Sequence, residues 1–291
     1  MRMLIPSAVL LLASVAAMRP LVGQESVTQL TLMSSRGENA RQLTGGQQPV
    51  GWPSWTPDGR TIAFNVRTER GHRLQRLELA SARVSALHDD GVQDFRPSVS
   101  ANGRALLFDR FGASVPANHD IFVRDMQSGV VTQLTSDPGY DSDARWSPDG
   151  TRIVFHSDRG ADRQYATQVY VMGRDGSGVR RLTDGPAVHA YPSWSPDGRY
   201  LAYTSELAGN RDVWIMRVDD GACVRVTDHQ GFDGDPVWAP NGEQLLFSTD
   251  RFGGQELALV DVVALLRSLR PTESMAIRGS MRPAGRATRG H

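Results

Sequence analysis

Short apolar runs recur along the chain, and each follows a pair of turn residues. Each run is three residues long and apolar throughout, which is typical of a short strand that is buried on both faces. Just upstream of each run stands an Asp-Gly or Asn-Gly pair, which supplies the positive φ of a tight hairpin turn. The runs occupy residues 62–64, 106–108, 153–155, 201–203 and 245–247. This pattern predicts short antiparallel strands and tight turns.

The apolar runs belong to a longer sequence repeat. Four copies carry a Trp at the same position, and the second copy carries Val99 there. The aligned residues are Trp55, Val99, Trp146, Trp194 and Trp238, separated by 44, 47, 48 and 44 residues. We expect the tryptophans to pack between neighbouring repeats and the turn glycines to form the hairpins, both structural roles. The turn glycines are Gly59, Gly103, Gly150, Gly198 and Gly242.

The length of the repeat predicts the fold. A second pair of alternating segments follows each motif, so a unit of about 45 residues would hold four short antiparallel strands, as in the blade of a β-propeller. Residues 30–44 resemble the second half of such a unit, and the fifth motif has no clear fourth strand after residue 260. Pairing these two ends would close the ring and cover both edge strands. We therefore predict an all-β propeller, with six blades, one of them abbreviated, favoured over five.

The two ends of the chain differ from the repeats in composition. Arg2 followed by the apolar run from Leu4 to Ala17 predicts a cleaved export signal over residues 1–24. Residues 25–265 would form a single propeller domain. Residues 266–291 are rich in arginine and predict a basic, disordered tail. These features predict a periplasmic or secreted protein.

Composition narrows the possible partners. The chain has 32 arginines, no lysine and 32 acidic residues, so its net charge of zero argues against nucleic acid as a partner. Its single cysteine, Cys223, excludes an internal disulfide and a multi-cysteine metal cluster. The N-terminal apolar run is shorter than the ~20 residues that a bilayer span needs. We expect a monomer that does not span the membrane.

The repeat also carries a family resemblance. Its core is W-S-P-D-G-x-x-I-A-F, followed by S-D-R-G, an I-Y-V-M-like strand, D-G and a closing R-x-L-T. This series of motifs resembles the propeller repeat of the TolB family. The units Trp146–Thr183 and Trp194–Thr227 match best, and the resemblance spans about residues 27–261. It implies a six-bladed propeller in the Tol-Pal envelope system. TolB itself has an α/β domain ahead of its propeller, whereas here the repeat directly follows the signal, which leaves the Tol-Pal role open.

Charged and aromatic residues stand at fixed positions ahead of each motif. If the loops that enter the motifs converge, the residues five and three positions before the aligned Trp would surround the mouth of the channel. These candidates for a partner-binding rim are Asp94, Arg96, Asp141, Asp143, His189, Tyr191, Asp233 and Asp235. Asp141, Asp143, Asp233 and Asp235 are also candidates for a Ca²⁺ site, since Ca²⁺ prefers carboxylate oxygens. The remaining alternative is a solvated rim in which the aspartates cap turns and pair with Arg96 or Arg145.

Enzyme signatures are sparse in this sequence. It has no G-x-S-x-G, H-E-x-x-H, Walker or dinucleotide-binding motif. Asp-Arg recurs at 109–110, 158–159 and 250–251, which predicts a repeated structural bond between blades. The main hypothesis is an exported, non-enzymatic propeller that binds an envelope protein or peptide. The alternative is a metal-dependent polysaccharide lyase or hydrolase resembling oligogalacturonate lyases, with His156, His189 and His229 as candidate ligands.

Overall fold

The five sequence repeats fold into five antiparallel sheets. The computed structural model describes residues 30–32, 41–45, 48–56, 59–69, 71–88, 93–112, 118–251 and 256–269. The expected signal over 1–24 lies outside these residues, as does the expected tail from residue 270 onward. Within the described residues, no helix has the length and apolar character needed to cross a membrane.

The strands follow one another in chain order within each blade. A short hairpin comes first, with strands β1 (Thr31–Leu32) and β2 (Arg41–Gln42). Blade 1 consists of β3 (Val50–Trp55), β4 (Thr61–Thr68), β5 (Gly71–Glu78) and β6 (Arg83–His88). Blade 2 consists of β7 (Asp94–Val99), β8 (Ala105–Phe111), β9 (His119–Asp125) and β10 (Val131–Gln133). Blade 3 consists of β11 (Asp141–Trp146), β12 (Arg152–Ser157), β13 (Gln168–Gly173) and β14 (Arg180–Arg181).

Blades 4 and 5 complete the series, and a short helix follows blade 5. Blade 4 consists of β15 (His189–Trp194), β16 (Tyr200–Ser205), β17 (Asp212–Arg217) and β18 (Cys223–Arg225). Blade 5 consists of β19 (Asp233–Trp238), β20 (Gln244–Thr249) and β21 (Glu256–Asp261). Helix α1 (Val263–Ser268) follows. Leu265, Leu266 and Leu269 pack against the core between blades 4 and 5, so the packed region reaches Leu269, past the expected domain boundary at residue 265.

The turn between the first two strands shows why the motif needs its residues. In blade 3, Gly150 has a φ of 68°, a conformation that a side chain would strain. The Asp149 carboxylate accepts a hydrogen bond from the backbone N–H of Thr151 at 3.0 Å and another from the Ser147 hydroxyl at 2.6 Å. The S-P-D-G sequence thus closes the hairpin with its own side chains.

The motif tryptophans lie between blades. Trp146, Trp194 and Trp238 are buried, each against apolar residues of the preceding blade. The indole N–H of Trp194 donates to the carbonyl of Arg145 at 3.3 Å, and that of Trp238 donates to the carbonyl of Ser193 at 3.1 Å. All three indoles therefore join two blades by packing, and Trp194 and Trp238 do so by a hydrogen bond as well.

A threonine just after the last strand closes the outer half of blades 2, 3 and 4 and of the N-terminal hairpin. Its hydroxyl accepts a hydrogen bond, at 2.9–3.0 Å, from the N–H of a residue in or next to the third strand. The pairs are Thr135–Ile121, Thr183–Val169, Thr227–Val213 and, in the N-terminal hairpin, Thr44–Leu30. The hairpin is thus the outer half of a unit, and Leu30 and Leu43 pack against blade 1.

The all-β propeller fold and its antiparallel blades are confirmed, and the blade count is five. Blades 1 to 4 have four strands, and blade 5 has three among the described residues. The prediction of six blades, one abbreviated, is therefore corrected. Within the described part of the chain, the N-terminal half-unit forms a separate two-stranded sheet that packs on blade 1 and does not pair with blade 5.

Replacing Trp194 with alanine tests the packing between blades. Trp194→Ala should lower the free energy of unfolding by about 4 kcal/mol, because it removes a buried indole and leaves a cavity between blades 3 and 4. Urea denaturation measures this loss. Val130→Ala, at an exposed valine, serves as control and should change stability by less than about 0.5 kcal/mol. Equal stability of the two variants would contradict this account.

Candidate functional site: the channel mouth

The first strand of every blade is interrupted at the same place. The register breaks in the middle of β3, β7, β11, β15 and β19, each time at a non-glycine residue with positive φ. These residues are Trp52, Arg96, Asp143, Tyr191 and Asp235, with φ of 41°, 49°, 55°, 53° and 52°. We call them the bulge residues. A side chain at positive φ is strained by about 1–3 kcal/mol, so the surrounding structure must hold each one in place.

The bulge residues face the axis of the propeller. The first strands of successive blades contact one another, β3 with β7, β7 with β11, β11 with β15, and β15 with β19. First strands that contact one another in series form the wall of the central channel. A bulge turns the side chain of its strand away from the regular alternation. The five bulge residues therefore stand side by side along the channel wall.

A hydrogen bond from the preceding blade holds three of the bulges. The residue after the apolar run in the second strand accepts a bond from the backbone N–H of the next blade's bulge residue. Asp109 accepts from Asp143 N at 3.0 Å. His156 accepts through Nδ1 from Tyr191 N at 3.2 Å, and the Thr204 hydroxyl accepts from Asp235 N at 3.0 Å. We call these bonds the inter-blade staples, since each fixes a strained backbone and joins two blades.

A network of charges lies next to the staples. Arg96 Nη1 donates to the Ser142 hydroxyl at 2.8 Å, and it lies 3.3 Å from Asp109 Oδ2 and 3.4 Å from the Tyr140 hydroxyl. The Ser142 hydroxyl in turn donates to Asp109. The Arg96 guanidinium also lies over the Trp52 ring, 4.8 Å from its centroid. Arg96 is therefore already bound on several sides.

Burial shifts the titration of several channel groups. Burial raises the pKa of Asp109 to about 6, although the charge of Arg96 opposes the shift. The side chain of Asp235 keeps an exposed surface, but the channel wall surrounds it. This enclosure raises the pKa of Asp235 to about 6, and the charge of Asp143 adds to the shift. Burial lowers the pKa of His119 to about 4 and that of His156 to about 3, so both imidazoles are neutral at pH 7.

Aromatic rings continue around the channel from blade 1 to blade 4. Successive ring centroids are 4.9–5.9 Å apart along the series Trp52, Phe95, His119, Tyr140, His156 and Tyr191. Phe111 adds to this series at His119, and Tyr165 adds to it at Tyr140. We call these eight rings the aromatic rim. Its outer members are strongly exposed, Trp52 by 41%, Phe111 by 42% and Tyr165 by 58%.

Half of the residues that the sequence singled out lie elsewhere. Arg96, Asp143, Tyr191 and Asp235 line the channel, whereas the residues two positions earlier are buried in their own blades. Asp94 pairs with Arg110 at 2.8 Å, Asp141 pairs with Arg159 at 2.7 Å, and Asp233 pairs with Arg251. His189 is buried against Tyr203. The predicted acidic ring, which would combine the residues five and three positions before the aligned Trp, is thus not formed.

Two of the three recurring Asp-Arg pairs, Asp158-Arg159 and Asp250-Arg251, act within blades and not between them. The arginines neutralise an aspartate of the first strand in the same sheet, as Arg159 does for Asp141. The aspartates of two pairs close loops: Asp158 accepts from Tyr140 N at 2.6 Å, and Asp250 accepts from Phe232 N at 2.8 Å. The expected bond between blades is therefore corrected for these two pairs, whereas Asp109 does bind the next blade.

The proposed metal ligands do not come together. In the described part of the chain, no group of three or more His, Cys, Asp or Glu side chains is placed to hold a metal ion. Asp141 and Asp233 are occupied by arginines, so these two with Asp143 and Asp235 do not fit a Ca²⁺ site. His156 and His189 are buried, and His229 is exposed and accepts from Gly231 N at 3.0 Å. These histidines form no common centre.

Sequence reasoning missed most of the aromatic rim. Phe95, Phe111, His119, Tyr140 and Tyr165 stand at the ends of strands or in the loops that join them. Two of them, Phe95 and Tyr140, are direct neighbours of residues that the sequence singled out. An alignment of the loop residues next to the bulge positions would have found these two.

Removing one partner of a buried ion pair should destabilise the fold. Asp141→Asn leaves Arg159 without its countercharge and should lower the free energy of unfolding by about 3 kcal/mol. Urea denaturation at pH 7 measures the loss. The control is Glu206→Gln, in the exposed pair with Arg211, which should cost less than about 1 kcal/mol. A loss below 1 kcal/mol for Asp141→Asn would show that its ion pair is not structural.

His156 should make stability depend on pH. Its pKa is about 3 in the fold against 6.5 ordinarily, so protons bind the unfolded chain better and stability is lost as the pH falls from about 6.5 to 3. His156→Asn removes this dependence and keeps an acceptor for Tyr191 N. Between pH 6 and pH 5, the wild type should lose about 1 kcal/mol relative to the variant.

Urea denaturation at both pH values tests this dependence. His229→Asn, at an exposed histidine, is the matched control and should follow the wild type. Parallel pH profiles for the wild type and His156→Asn would contradict the assignment of His156 as a buried neutral acceptor.

Comparison with known proteins shows what the chain is similar to. Two curated relatives match parts of it: an uncharacterized peptidase, YuxL of Bacillus subtilis, is 29% identical over 146 residues, or 50% of this chain and 20% of the relative. The Tol-Pal system protein TolB of Gluconobacter oxydans is 33% identical over 113 residues, or 39% of this chain and 24% of the relative. The chain therefore spans about a quarter or less of these relatives.

A solved structure extends the likeness to most of the chain. The crystal structure of TolB from Acinetobacter baumannii superposes with a TM-score of 0.71 at 26% identity, covering 80% of this chain and 57% of that one. The family model described as the TolB beta propeller domain matches residues 15–190 and 184–264. With its repeats, its five blades and this match, the chain belongs to the TolB beta-propeller family.

Proposed function

We propose that the protein is an exported, non-enzymatic propeller that binds a protein or peptide of the cell envelope at its channel mouth. The observation that carries this proposal is the exposed part of the aromatic rim. Trp52, Phe111 and Tyr165 present large apolar surfaces to solvent around one end of the channel. Clustered exposed aromatic side chains are typical of protein interaction sites, where they contribute much of the binding energy.

The rigidity of the rim supports binding over catalysis. The inter-blade staples hold the bulges at Asp143, Tyr191 and Asp235, so the residues of the channel wall are fixed before a partner arrives. A surface that is already ordered loses little entropy on binding. The neutral imidazole of His156 is occupied by its backbone bond and is not poised as a general base.

The envelope location rests on the relatives and on the sequence. Two of the similar proteins are TolB proteins, one of them named as a component of the Tol-Pal system. The N-terminal residues have the pattern of an export signal. The alternative, a metal-dependent lyase, lacks comparable support, since the described residues gather no metal-binding group.

Removing the exposed rings tests partner binding. The double variant Trp52→Ala, Tyr165→Ala should reduce capture of the envelope partner at least about tenfold, because each exposed ring can anchor a hot spot. The immobilised full chain is incubated with an envelope extract of the producing organism, and captured proteins are quantified by mass spectrometry.

The control removes exposed apolar surface away from the aromatic rim. Val84→Ala, Val130→Ala changes two exposed apolar side chains at the fourth strands of blades 1 and 2 and should capture as the wild type does. If the rim variant and the control retain the same proteins in the same amounts, the aromatic rim is not the binding surface.

A further inference from the structure

One carboxylate in the channel has no partner among the described residues. The Asp235 side chain makes no hydrogen bond and no ion pair there, although its backbone is fixed by Thr204. Asp143, on the neighbouring wall, pairs with Arg145 at 2.6 Å, and its charge still acts on Asp235. Asp235 is therefore a carboxylate on a fixed backbone, within reach of the charge of a second carboxylate.

Buried acceptors beside the channel are also left over. Asn65 Oδ1, Asp109 Oδ1 and His119 Nδ1 are buried and find no hydrogen-bond partner within the described part of the chain. Asn65 and Asp109 occupy the staple position of blades 1 and 2, and His119 contacts the rings of Phe95 and Tyr140. Because buried acceptors without donors are unfavourable, this site suits a guest that brings several N–H groups.

The charge balance of the cluster favours a cation. Three carboxylates, of Asp109, Asp143 and Asp235, face the guanidinium groups of Arg96 and Arg145. The charge of Arg211 also reaches Asp235, but Arg211 is paired with Glu206 at 2.9 Å. Arg96 is already engaged by Asp109, Ser142, Tyr140 and the Trp52 ring, so it is a poor site for an added anion. The cluster as a whole lacks positive charge.

The walls between the carboxylates are aromatic. Tyr191 lies between the blades that carry Asp143 and Asp235, and its charge interactions reach both carboxylates. Its ring meets that of His156 at 5.3 Å, and Tyr140 stacks on the other side of His156 at 5.9 Å. Aromatic faces attract ammonium and guanidinium groups, most strongly where water is excluded.

We propose that the channel mouth binds a cationic multi-donor group, an ammonium or guanidinium presented by a protein partner, with Asp235 as its counter-ion. The proposal rests on the proposed function and specifies the chemistry of the partner at that site. Asp143, Tyr191 and the unpaired acceptors receive the remaining donors. Trp52, Phe111 and Tyr165 contact the apolar surface around the inserted group.

A small probe isolates the cationic interaction. Nα-acetyl-lysine methylamide is titrated into the ¹⁵N-labelled full chain, and ¹H–¹⁵N spectra are recorded. The backbone amides of Asp143, Tyr191 and Asp235 should show saturable shifts. Nα-acetyl-norleucine methylamide, which has the same aliphatic chain without the charge, should leave them unchanged. Raising the NaCl concentration should weaken binding of the lysine probe, because the interaction is electrostatic.

Two asparagine variants locate the counter-ion. Asp235→Asn removes the charge but keeps the backbone bond to Thr204, and it should raise the dissociation constant of the lysine probe about fivefold. Asp219→Asn makes the same change at an exposed turn of blade 4 and should bind as the wild type. The urea midpoint of each variant shows whether it folds, and Asp143→Asn replaces Asp235→Asn if the latter does not.

Three results would overturn the cation site: equal binding of the lysine and norleucine probes, wild-type affinity in the folded channel variant, or no effect of salt. The outcome is separate from that of the capture experiment. If the rim variant loses capture but the lysine probe does not bind, the aromatic rim is the partner surface and the cation site is wrong. If the lysine probe binds but the rim variant captures as the wild type does, the cation site is supported and the aromatic rim is not the partner surface.

Discussion

The channel depends on one kind of hydrogen bond, from a strained backbone N–H to a side chain of the preceding blade. Asp109, His156 and Thr204 differ in charge and shape, yet each places one acceptor at the same point. This acceptor fixes a left-handed residue in the wall and joins two sheets. At these three positions, one bond therefore serves both the blade interface and the placement of the channel side chain.

Packing between blades supplies the remaining cohesion. The described residues contain one cysteine, Cys223, which is exposed and free, so no disulfide joins the sheets. Buried indoles at Trp146, Trp194 and Trp238 take that role through apolar contact with the preceding blade, and Trp194 and Trp238 add a hydrogen bond to it. The acid–arginine pairs, such as Asp141–Arg159, strengthen single sheets.

The sequence was sufficient for the architecture because turns and apolar runs are local signals. Asp-Gly pairs and three-residue runs predict hairpins without knowledge of distant contacts, and their spacing predicts blades. The site was only half predictable. Residues such as Asp141 and Asp143 are two positions apart and would share one face of a regular strand, but the bulge separates them, and a bulge at non-glycine residues has no sequence signal. The blade count failed because the pairing of chain ends is a long-range choice.

The five bulge positions have a consequence for how the protein can change. At Asp143, Tyr191 and Asp235 the backbone is held from outside by a staple on the neighbouring blade, and all five positions, which carry Trp, Arg, Asp, Tyr and Asp, adopt nearly the same φ. The identity of each side chain is thus uncoupled from the folding of its strand. The channel wall therefore offers positions whose side chains can be exchanged while the backbone stays the same. Single substitutions there can change the ligand preference without repacking the core.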